Sequence, residues 1–182
     1  MNNDDTSLDG IIFQEPPDDL DENWLGAIVG TFGGHRSHRD VAKAYFNAAD
    51  CLLKRHEQDH FEWEILDPLL FLYRHAIEVS LKSLLEIKNG KFPQIHKLPS
   101  LFESVTNELA AHGYEMPQRA ANIVNDFSKF DLGSTSFRYG GDWTRGEYWI
   151  GFPKLKAEMD WLSLLFDEIH NEFEKTTKTI KR

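Results

Sequence analysis

Arg74, Glu78 and Lys82 recur every four residues, which on a helix sets a cation, an anion and a cation along one line. Such a line has two readings. It is a ladder of intrahelical ion pairs, each worth roughly 0.3 kcal/mol, or it is a polar seam that meets Arg138 or His96 from elsewhere in the chain. A second concentration of reactive and stacking groups lies in the stretch DLGSTSFRYGGDWTRGEYWIGF at 131–152. There Arg138 and Arg145 are interleaved with Phe137, Tyr139, Trp143, Tyr148 and Trp149. Aromatic faces stack single-stranded bases while arginines hold phosphates. The same aromatics can instead pack a loop onto the body of the fold. Under either reading Arg138, near Ser136 and Tyr139, is the focal residue. His56 and His60 have the i, i+4 spacing of a metal pair, with Glu57 and Asp59 beside them. No third ligand stands out, so a solvated helix end accounts for them. Cys51 is three helical turns from His38, too far for a nucleophile pair, and is expected in the core. Thr31-Phe32-Gly33-Gly34 lacks the Lys-Ser/Thr of a phosphate-binding loop. No metal or cofactor is expected.

The elements that would carry these residues are helices. The run DPLLFLYRHAIEVSLKSLL at 67–85 places Leu66, Leu69, Leu70, Tyr73, Ala76, Ile77, Leu81 and Leu84 at helical spacing. Leu72 and Val79 extend that surface, so the helix is expected to be covered on more than one side. Asp67-Pro68 reads as its start and Asn89-Gly90 as its stop. An earlier helix, opened near His35–Asp40 with Ser37 or Asp40 as cap, buries Val41, Ala44, Tyr45, Ala48, Leu52 and Leu53 and runs to about Gln58. The short link at 59–65 makes the two an antiparallel hairpin. A third helix spans about Ser100–Ala111, ended by Gly113, and a fourth begins near Pro117. The Gly-rich aromatic loop follows, with a short strand pair expected at 148–152. Pro153 then opens a last long helix with Leu155, Met159, Leu162, Leu165, Phe166, Ile169 and Phe173 inward. The fold class is an all-α antiparallel bundle of four to five helices.

Composition bounds the function classes. The formal net charge is −10, but residues 1–22 hold eight acidic residues and no Lys or Arg, which leaves −2 for the remainder. An acidic, largely irregular arm at 1–34 therefore precedes a near-neutral body at 35–182. That body advertises no broad nucleic-acid surface, although it leaves room for a small basic cleft. The arm is a solvated tail, a partner-binding segment, or a competitor covering a basic site. The single cysteine excludes an internal disulfide and fits a reducing cytoplasm. No leader-like apolar segment opens the sequence and no run approaches a membrane span, so no membrane partner is expected.

The run YRHAIEVSLKSLL, His96 with Leu98 after it, and Ser134-Thr-Ser-Phe-Arg-Tyr139 together resemble the HEPN superfamily over residues 38–175. The resemblance implies a helical domain, commonly a homodimer, of the kind found in bacterial toxin–antitoxin, abortive-infection and CRISPR-linked systems. Many members are metal-independent endoribonucleases marked by an Arg, usually followed by a polar residue, with a His four to six residues after the Arg. The arginine stabilises charge on the phosphate and the histidine transfers the proton. Arg55, His56 and His60 match that pattern, so the resemblance nominates Arg55 and His60 as catalytic residues.

Two functions follow. The first is an RNA-directed effector whose RNA or nucleotide lies against Arg74, His75, Arg138 and Tyr139, with Glu78, Lys82, His96, Ser136 and Trp143 around it, or at an Arg55–His60 pair across a dimer. The second is a non-catalytic module that binds a partner protein or nucleotide within a larger complex.

Overall fold

The computed structural model describes residues 36–59, 62–131, 136–139 and 148–180. Its elements are α1 (His38–Asp59), α2 (Glu62–Asn89), α3 (Leu98–Ala111), α4 (Gln118–Phe130), α5 (Ser136–Tyr139) and α6 (Phe152–Ile180). No strand occurs among the described residues. The acidic arm at 1–34 lies outside them.

The axis of the bundle is α2, which packs against α1, α3, α5 and α6. Leu69, Tyr73, Ala76, Ile77, Leu81 and Leu84 are sealed from solvent, and Leu70, Val79, Ser80, Ser83 and Leu85 are buried on its other sides. A helix apolar over so much of its surface has to be surrounded. Its neighbours supply one stripe each: Ala42, Phe46, Ala49 and Leu53 from α1, Leu98, Leu101, Val105 and Leu109 from α3, and Met159, Leu162, Phe166, Ile169 and Phe173 from α6.

Helix ends follow local chemistry. At α1, Ser37 and Asp40 cap reciprocally: the Asp40 N–H donates to Ser37 Oγ (3.2 Å) and the Ser37 N–H donates to Asp40 Oδ2 (3.1 Å). Gly90 (φ +68°) and Gly113 (φ +77°) take the left-handed conformation that closes α2 and α3.

Five expectations are corrected. The buried face of α1 runs through Ala42, Phe46, Ala49 and Leu53; Ala44 and Ala48 are exposed, and Val41, Tyr45 and Leu52 are half-buried, because the helix is rotated by the packing of Phe46 against α2. Asp67-Pro68 does not open α2, which begins at Glu62 and carries Pro68 inside it. Proline removes one helical hydrogen bond, but Pro68 is exposed, and Ile65 in the preceding turn is buried in the core. That packing holds the turn in register. Cys51 is exposed, not internal. No strand pair forms at 148–152; residues 148–151 are irregular and Phe152 opens α6. The Gly-rich stretch also contains a helical turn, α5, because Phe137 is drawn into the core (4% exposed).

Candidate nucleic-acid interface

The line Arg74–Glu78–Lys82 is a buried seam joined from outside its own helix. The three side chains are 0%, 2% and 5% exposed. Arg74 Nη1 donates to Glu78 Oε2 (2.8 Å), and Lys82 Nζ pairs with Glu78 Oε1 (3.0 Å). His96 Nδ1 lies 2.8 Å from Glu78 Oε1, and Arg74 Nη2 donates to the His96 carbonyl (2.9 Å). Of the two readings of this line, the seam meeting His96 describes it. Burial disfavours the Glu78 carboxylate, yet hydrogen bonds from Lys82, Arg74 and His96 hold its pKa below the ordinary 4.5.

The seam ends at Asp131, the residue after α4, which is fully buried. The single Nε hydrogen of Arg74 goes to the Asp131 backbone oxygen (3.1 Å). Asp131 Oδ2, also 3.1 Å from Nε, is therefore held by charge rather than by a directed hydrogen bond. Asp131 Oδ1 accepts from the Ser136 backbone N–H (2.9 Å), which ties the seam to the first residue of α5.

Two of the residues singled out in the sequence, Arg138 and His75, are joined through a third, Phe71. Arg138 is exposed, with its guanidinium carbon 5.3 Å from the centre of the Phe71 ring. Phe71 stacks on His75 (5.6 Å, 13°), and His75 meets Tyr45 edge-on (4.4 Å, 83°). Phe71, His75 and Tyr45 are half-buried. The result is a row of faces, Arg138–Phe71–His75–Tyr45, shared by α5, α2 and α1. Phe71 and Tyr45 went unnoticed as site residues, although Phe71 and His75 are an i, i+4 pair. His75 Nδ1 is sealed and has no hydrogen-bond partner among the described residues. Burial, then the neighbouring charges of Arg138, Arg74 and Lys82, lower the His75 pKa from 6.5 against the opposing pull of Glu78. The ring is neutral at physiological pH.

The other candidates are placed as follows. Arg55 is exposed near the end of α1, and the half-buried His56 ring packs edge-on against Phe152 (4.7 Å). His60, Trp143 and the Tyr139 side chain lie outside the described residues. Residues 56–60 spell His-Glu-x-x-His, a zinc-peptidase spacing that the metal reading of His56 and His60 passes over. Among the described residues no group of three or more His, Cys, Asp or Glu is placed to hold a metal. Ser136 contributes its backbone to Asp131.

A second polar cluster joins α1 to α6. Arg39 Nε and Lys43 Nζ both hold Asp167, each at 2.8 Å, and Arg39 Nη1 lies 3.2 Å from His170 Nδ1. Burial, then Arg39, lower the His170 pKa, so the neutral ring accepts from Arg39. Beside the cluster is a void of about 10 Å³ lined in part by Ser80 and Ser83, room for one water. Its two cations share the Asp167 carboxylate across the α1–α6 contact, and it reads as a staple between helices. A wide hollow of about 560 Å³ over α4, lined by Asn122, Asn125, Asp126, Ser128 and Lys129, includes none of the residues singled out above.

A family model for the HEPN domain matches residues 38–159. The chain belongs to the HEPN family. The match runs from the start of α1 into α6 and takes in the buried seam and every residue of the aromatic row. The HEPN domain is thus a helical bundle around α2, and no described helix is long and apolar enough to cross a membrane. Comparison with curated proteins and with solved structures finds no match.

Proposed function

We propose that this HEPN protein binds single-stranded RNA, or a nucleotide of the same chemistry, on the Arg138–Phe71–His75–Tyr45 row. It does so as a cytoplasmic homodimer serving a bacterial defence, toxin-type or stress response. The observation that carries the reading is the exposed guanidinium lying over the Phe71 ring, followed by two further aromatic faces. Such a row accepts a base against a ring and a phosphate against the cation. The neutral His75 serves as a stacking face and brings no charge. Arg74 and Lys82 support this surface from beneath, because their charges are spent on Glu78 and Asp131.

The test is fluorescence anisotropy with labelled single-stranded RNA, in buffer containing EDTA and again with zinc. Arg138→Ala and Phe71→Ala are each expected to weaken binding about 10-fold, within the range for one stacking contact. Affinities equal to the parent protein would reject the row as an RNA site. Gel analysis of the same RNA tests cleavage: loss of metal-independent scission in Arg55→Ala and His60→Ala would make the protein an endoribonuclease as well.

A non-catalytic module that binds a partner protein is the second reading. It is favoured by Trp149, 93% exposed beside Tyr148 at 60%. Exposed aromatics of this size are frequent interface anchors. Recovery of one defined partner by the parent protein and not by Trp149→Ala would support it.

A further inference from the structure

We propose that Asp131 is the positioning residue of the Arg138 site: gripped by Arg74, its carboxylate seats α5 and so aims the Arg138 guanidinium across Phe71. The inference rests on the RNA-binding reading of that row. Four residues of helix have almost no stability of their own, so the orientation of α5 is imposed by what holds it. Among the described residues two holds stand out. The Ser136 N–H donates to Asp131 Oδ1 at 2.9 Å, and Phe137 is buried with its ring edge-on to Phe127 (6.4 Å, 85°). Together they fix both the start of the turn and its rotation. Arg138, the next residue, then emerges about 100° further round the helix, where it meets Phe71.

A solvated Asn or Ser would cap a short turn as well as a buried Asp does. Asp131 is instead fully buried and charged, and Arg74, Glu78 and Lys82 are buried behind it. Such a chain adds little net stability over well-packed apolar residues. What it does supply is geometry. Arg74 holds both the Asp131 carboxylate and its backbone oxygen, so the acceptor presented to Ser136 cannot swing away. Glu78 and the His96 carbonyl fix Arg74 in turn. The surface site is therefore registered to α2, the most deeply buried helix of the bundle.

Ser136→Pro is the decisive variant, because proline in a first turn removes one N–H and leaves the Asp131–Arg74 pair intact. Two readouts apply, both below the measured Tm of each variant. In NMR, the Arg138 Nε–H signal should carry a ring-current shift from Phe71 in the parent protein and lose it in Ser136→Pro and Asp131→Ala. Asp131→Asn, which keeps the acceptor, should retain most of it. In anisotropy, Ser136→Pro should weaken RNA binding about 3- to 10-fold, in line with the loss of one well-placed contact. It should add nothing in the Arg138→Ala background, because both changes act through the same guanidinium. An unchanged ring-current shift in Ser136→Pro, or penalties that add in the double variant, overturns the positioning role. Loss of the shift in a protein that binds no RNA supports the positioning role and rejects the binding reading alone.

Discussion

Glu78 is the residue on which the buried charges turn. It is 2% exposed and faces Arg74, Lys82 and His96. Removing it takes the carboxylate from the buried Lys82 and one of two carboxylates from Arg74, which keeps Asp131; breaking a buried pair in this way typically costs about 3 kcal/mol or more. Glu78→Ala is expected to lose that amount in urea denaturation, and Glu78→Gln less. Acid titration should show the same groups. The Glu78 pKa is lowered from 4.5 in the folded chain, so its stabilisation is complete above 4.5 and is lost as pH falls through the lower folded value. His75 and His170 are also lowered, from 6.5. The unfolded chain takes up those protons first, so stability falls as pH drops below 6.5 and levels off beneath the folded values. His75→Phe should shorten that upper limb by removing one titrating group. Because stacking needs a ring and not a charge, the same variant should bind RNA within about twofold of the parent, whereas His75→Ala should lose several-fold. Weaker binding by His75→Phe equal to that of His75→Ala would show that a ring nitrogen takes part.

At the scale of elements, α2 is both core and chassis. Leu81 is sealed within it. Leu81→Ala should cost about 4 kcal/mol, within the range for a buried leucine truncated to alanine. Calorimetry of that variant against Leu164→Ala separates core from surface, because Leu164 is 64% exposed on α6 and its truncation should shift stability by less than about 0.5 kcal/mol. Pro68 is an element-scale concession. It interrupts the hydrogen-bond ladder of α2, and Pro68→Ala should raise Tm by restoring the donor. A lowered Tm would mean that proline's restriction of the unfolded chain outweighs the restored bond.

At the scale of the molecule, charge is unevenly distributed along the chain. Eight acidic residues in the first 22 account for most of the net charge of −10. If that arm competes with RNA for Arg138, removing residues 1–34 should tighten binding by about 3-fold or more at low salt, with the gain fading as salt screens the arm. Equal affinities of the full and shortened chains would make the arm a bystander. Light scattering coupled to gel filtration tests assembly: the homodimer proposed here should run at twice the 21.1 kDa chain mass.

Helical periodicity alone determined the bundle, because a stripe at 3.6 residues is written locally and burial merely completes it. Asn89-Gly90, Gly113 and the Ser37–Asp40 pair announced three helix ends for the same reason. The i, i+4 line of Arg74, Glu78 and Lys82 was legible as a line, and His96 was among its named partners. Its complete burial was not legible, because charge identity says nothing about depth. Only the tertiary structure brought Asp131 from the end of α4 to Arg74, 57 positions away, and drew Phe137 into the core. Only it set Phe71 and Tyr45 on either side of His75, with an arginine from another helix over Phe71. Short-range spacing encodes which face of a helix is apolar. Which groups share a surface depends on how the helices are rotated against one another, and that is decided by the packing of the whole core.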